Sequence, residues 1–89
     1  MAAVEVIGND YITGVTEYTD NTDNLTFTEA MIHVYGNLTI TNTGNNTIAG
    51  VPTILMMNRT AQYNPVGAVE ANVVPFRLAQ AHRNRGRAQ

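Results

Sequence analysis

Chemistry in this chain would have to come from two histidines, His33 and His82, and seven carboxylates, because serine, cysteine and lysine are all absent. Nucleophilic catalysis uses an activated Ser, Cys or Lys, usually with a His to move the proton. Three of those four residue types are missing. His33 lies inside an alternating stretch and His82 in a polar tail, with no neighbour in sequence to orient either ring. Asp10, Asp20, Asp23 and Glu29 show no spacing that marks out a general acid–base pair. The reading is therefore a protein that is not an enzyme, with no catalytic residue, no cofactor and no metal.

Two further patterns carry candidate chemistry. Asp20-Asn21-Thr22-Asp23-Asn24 is rich in the oxygen ligands that Ca²⁺ prefers, but it lacks the ligand alternation and the glycine of an EF-hand loop. Asx residues also fill loops for their local turn hydrogen bonds, and that is the reading taken. Asn-x-Thr sequons begin at Asn24, Asn37, Asn45 and Asn58. Strand alternation generates this spacing on an exposed face, since residues two apart share a face.

Charge is the most informative feature. Residues 1–76 hold all seven acids and only Arg59, a net of −6, whereas residues 77–89 hold Arg77, Arg83, Arg85 and Arg87, a net of +4. Arginine without lysine favours bidentate recognition of carboxylate or phosphate. The bland reading is a solubilising, flexible terminus. An acidic body repels nucleic acid, so the tail points first to an acidic protein surface, in another copy or another assembly.

The elements that would position these groups read as strands. In Ala30–Met57, Ala30, Ile32, Val34, Leu38 and Ile40 occupy alternate positions, the mark of a half-buried strand. Asn42-Thr43-Gly44-Asn45-Asn46 supplies turn residues, and Thr47–Met57 reads as the return strand of a hairpin with Ile48 opposite Ile40. The apolar parity then switches to Val51, Leu55 and Met57, which a β-bulge near Gly50 and Pro52 would explain. A second face covered by a neighbour would add burial for Ile54 and Met56. Ala2–Ile7 and Tyr11–Tyr18 read as strands about a turn at Gly8-Asn9-Asp10, the latter interrupted at Gly14. Asn58–Gly67 reads as a loop and Ala68–Leu78 as a last strand or extended arm. No helix, repeat or heptad is evident.

The expected fold is all-β: a small antiparallel sandwich or barrel-like domain over residues 1–78 with a central hairpin, and an extended basic C-terminal arm whose residues 79–89 are flexible. One domain of 89 residues without cysteine has a thin core and no disulfide. Oligomerisation is the remaining staple. No signal peptide is visible and no segment is apolar enough to cross a membrane as a helix.

Small size, β patterning, Asn/Thr richness, no cysteine and an arm ending in arginines together resemble the small structural proteins of tailed-phage virions, the capsid decoration or cement type. The resemblance is one of style over the whole chain. It implies a trimer or other homo-oligomer in the virion, assembled in the host cytoplasm, clamping neighbouring subunits of the major capsid protein. On that expectation the contact surface is Met56, Met57, Val73, Val74, Phe76 and Leu78, with Arg77, Arg83, Arg85 and Arg87 as an electrostatic clasp. Tyr35–Ile48 also resembles strands of immunoglobulin-like modules, which implies an adhesion or carbohydrate-binding surface module using Asn37, Thr39 and Thr41. A third reading is a nucleic-acid-binding accessory protein acting through the tail.

Overall fold

The computed structural model describes residues 4–20, 24–44 and 48–83, with side chains as far as residue 80. Its centre is β3 (Leu25–Val34), where Leu25, Phe27, Ala30, Ile32 and Val34 are buried. The alternation slips once, at Thr28 and Glu29, because Glu29 takes a left-handed φ of 46° and bends the strand. Around it stand β1 (Val4–Ile12), β2 (Val15–Thr19), β4 (Asn37–Thr41), β5 (Ile48–Ala49), β6 (Thr53–Met56), β7 (Gln62–Val66) and β8 (Asn72–Val74), followed by α1 (Phe76–Arg83).

Every strand pair among the described residues is parallel. One sheet runs β1-β3-β6-β8, with β5 also on β3, and the other runs β2-β4-β7. Partners lie one coil apart: Val4 faces Leu25, Val15 faces Asn37, Met31 faces Thr53 and Asn37 faces Gln62. The chain is thus a parallel β-solenoid. Each coil has one strand bent in the middle, or β5 and β6 in its place, and a second strand on the other sheet. The class is all-β, as composition implied, but the antiparallel sandwich, the central hairpin and the absence of repeats are all corrected. Ile48 pairs with Leu25, not Ile40. Alternation reports that one face is buried and is silent about which segment lies alongside. Immunoglobulin-like modules are antiparallel sandwiches, so that likeness does not extend to the fold.

Side chains stack in inward columns. Asp10, Ile32, Ile54 and Val73 share one register position; Thr16, Leu38 and Tyr63 share another; Tyr18, Ile40 and Pro65 a third. Leu25, Ile32, Val34, Leu38, Ile40 and Ile54 are fully buried. The expected core at Ile32, Val34, Leu38 and Ile40 is therefore present. In the return segment Val51 is exposed and Met57 half-buried, while Ile54 takes the inward place. Leu55 is buried on the outer face, where α1 packs against β6, and Ala79 of α1 is buried as well.

Corners hold the coils in register. The bend at Gly8 (φ 67°) falls beside that at Glu29, and the bend at Gly50 (φ 87°) lies over Phe27, two residues before Glu29. At the next corner the Tyr35 and Gly36 N–H groups both donate to the Ile12 carbonyl, at 2.8 and 2.9 Å, and Gln62 N–H donates to Gly36 O at 2.9 Å. Gly8 is thus a bend within β1 and not a turn between strands. The interruption expected at Gly14 is real, between β1 and β2. Residues 62–66, expected as loop, form a strand at the described edge of its sheet, a place where a proline such as Pro65 is tolerated.

Candidate assembly surfaces

Among the described residues no strand pairs with the outer edges of β1 and β2 at one end, or of β7 and β8 at the other. These are the surfaces a solenoid uses to meet something else, since each free edge presents unpaired backbone N–H and C=O groups.

At the β1 end the first coil is more polar than those behind it. A cleft of about 330 Å³ is lined by Val4, Glu5, Val6, Ile7, Asn9, Asp10 and Tyr18. Asp10 stands where the next coils place Ile32 and Ile54, and its carboxylate accepts the Tyr18 hydroxyl and, at 3.0 Å, the Tyr11 N–H. The Tyr18 phenol is pushed up, first by burial and then by the hydrogen bond and charge of Asp10. It remains a proton donor to the Asp10 carboxylate. Apolar groups remain in water here: Val4, Ile7 and Val15 are 41, 61 and 86% exposed.

On the outer face beside this end, the Tyr11 and His33 rings stack with centroids 4.5 Å apart, and His33 Nε2 lies 3.1 Å from Asn9 Oδ1. Burial lowers the His33 pKa. The ring packs on Tyr11 and shares a hydrogen bond with the Asn9 amide. Asp20 is buried, and its Oδ1 accepts the Thr43 N–H at 2.8 Å and the Thr43 hydroxyl at 3.0 Å, pinning one inter-coil corner to the next. Residues 21–23 of the oxygen-rich stretch lie outside the described residues. No group of three His, Asp or Glu able to hold a metal occurs among the described residues, and no helix there is long and apolar enough to cross a membrane.

The other end gathers part of the expected contact surface. Val74 and Leu78 line an apolar groove of about 320 Å³ with Met31, Thr53 and Leu55, between α1 and the outer face of the sheet. Leu78 is 62% exposed and Arg77 is exposed beside it. Val73 lies on the opposite face of β8, at the open end of the inward column, and is 47% exposed. Phe76 is half-buried, with the Arg59 guanidinium 6.0 Å above its ring. Met56 packs against the core, and Met57 N–H donates to Val34 O at 2.9 Å, so neither lines the groove. Arg83 ends α1; Arg85 and Arg87 lie outside the described residues.

The arm is thus corrected from extended chain to helix over Phe76–Arg83, Pro75 giving its carbonyl to the Ala79 N–H at 2.9 Å. Met31, Leu55 and Arg59 were missed. Met31 and Leu55 sit at alternate positions from the core residues, where only the arrival of α1 makes an outward side chain part of a groove.

The coils also sort the charge. Residues 1–44 hold six acids and no arginine, net −6; residues 45–89 hold all five arginines and Glu70, net +4. Among the described residues the first two coils hold five acids and no arginine, and the rest hold Glu70 with Arg59, Arg77 and Arg83, so this part of the solenoid is acidic at the β1 end and basic towards α1. The chain matches no protein-family model, no curated protein and no solved structure, so the geometry of its two ends is what speaks to its role.

Proposed function

We propose that this chain is a non-enzymatic structural protein that oligomerises and stabilises a larger particle through protein–protein contacts, the capsid decoration or cement role that its sequence resembles. One observation carries the reading. The described residues leave the long outer edge of β1 unpaired, beside exposed Val4, Ile7 and Val15. An edge of this kind templates pairing with another chain, and proteins that work alone blunt it. The basic C-terminal end adds an electrostatic clasp for an acidic surface.

The test is size-exclusion chromatography with light scattering, at low and high salt, on the full chain and on a chain ending at residue 83. Truncation at 83 keeps α1 and the buried Ala79, which removal from residue 79 would destroy. The expected result is an oligomer or larger assembly free of nucleic acid, weakened by salt and by the truncation. A salt-indifferent monomer in both forms would overturn the proposal, and co-eluting nucleic acid would replace it with the accessory-protein reading.

A further inference from the structure

We infer that copies of this chain stack head to tail along the solenoid axis, the acidic β1–β2 end of one copy meeting the basic β7–β8–α1 end of the next. The inference rests on the assembly reading and names its partner: a second copy of the same chain.

Three observations converge on it. First, the two ends are compatible as sheet edges. Every strand pair among the described residues is parallel, and a copy translated along the axis continues that rule, presenting β7 and β8 to β2 and β1 in the same direction. Two β1 ends facing each other would be antiparallel and would break it.

Second, the charges are complementary only in this arrangement. Glu5 and Glu17 are exposed on the first coil, where no arginine occurs, and exposed Arg77 leads the helix at the far end, followed by Arg83. Head-to-head contact juxtaposes like charges and is disfavoured. Third, the polar group of the first coil is already satisfied. Asp10 keeps Tyr18 and the Tyr11 N–H as partners under a stacked neighbour, so joining strips no unpaired carboxylate. Exposed Val4 at one end and Val73 at the other supply apolar contact in the lumen. A contact between different surfaces that repeats along an axis does not close, so growth is open-ended.

Charge reversal with rescue tests this directly. One variant carries Glu5→Arg and Glu17→Arg, another Arg77→Glu and Arg83→Glu; Glu5, Glu17 and Arg77 are exposed, and circular dichroism checks that each variant folds. Sedimentation velocity at low salt is read across a concentration series. Each variant alone is expected to need about tenfold more protein for half-association than the parent, because the reversed side chains then face their own sign across the contact. Mixed in equal amounts, the two are expected to return to within about threefold of the parent, since each reversed end meets its complement. Variants that associate like the parent, a mixture that gives no rescue, or a discrete trimer would each overturn axial stacking while leaving the assembly role standing. A parent that stays monomeric at every concentration and salt would remove both.

Discussion

Asp10 occupies a column that the coils behind it fill with Ile32 and Ile54, and its carboxylate is held there by the Tyr18 hydroxyl together with the Tyr11 N–H. The phenol is held protonated by burial and by Asp10, so its folded pKa lies above its unfolded one. A group shifted in that direction contributes its stability below the unfolded value, near pH 10, and loses it as pH rises beyond that. Tyr18→Phe is expected to cost about 1 kcal/mol near neutral pH, the bond being half-exposed. It should also flatten the alkaline fall, which urea midpoints at about pH 8 and about pH 11 would show. A variant that still falls as steeply as the parent would assign the alkaline loss elsewhere, for example to Tyr63, also raised by burial. None of this pair was legible in the sequence. Asp10 read as part of a turn and Tyr18 as one end of a weakly alternating strand, and only the coil brings the two together across the seven residues between them.

The corners are the next level, and glycine there does two separable jobs. Gly44 and Gly50 both have left-handed φ, 84° and 87°. A Cβ on Gly44 would meet open space, whereas one on Gly50 would lie 2.0 Å from the Phe27 carbonyl oxygen of the coil below. Gly44→Ala should therefore cost about 1 kcal/mol, for dihedral strain alone. Gly50→Ala should cost about 3 kcal/mol or more, because the coils must also move apart. Equal urea midpoints for the two would show that Gly50 is not a stacking position. The irregularity at Gly50 and Pro52 was visible in the sequence as a change of parity; its cause, a bend between two short parallel strands, was not. The helix was hidden for a related reason. Pro75 reads as the end of a strand, yet a proline also suits a helix start, and FRLAQAHR has no acid in its first turn to announce one.

For the whole molecule, an all-β fold, the inward set Ile32, Val34, Leu38 and Ile40, and the separation of charge were all open to a reader of the sequence. Parallel order was not, because the coils share a burial pattern and few identical residues. Leu25 over Val4, Leu38 over Thr16 and Ile32 over Asp10 obey one geometry with different side chains. The division of charge also moved. Counted along the sequence it falls near residue 76; counted by coil it falls after the second, which turns a basic tail on an acidic body into a body with two poles.

That coiled path sets how the molecule answers a pull. Residue 4 lies in the first coil and residue 83 beyond the last, so a load applied between them acts across the inter-strand hydrogen bonds and not along the strands. The bonds then open one after another, as a zip does, instead of sharing the load. Each coil released should lengthen the tether by about 70–80 Å, the reach of roughly 22 extended residues. Optical tweezers holding the two ends should record a staircase of such steps at low force, and a single cooperative rip would show that the coils fail as one. Stacked end to end, the same chain would make a fibre that pays out slack gradually under tension and rewinds when it is relaxed.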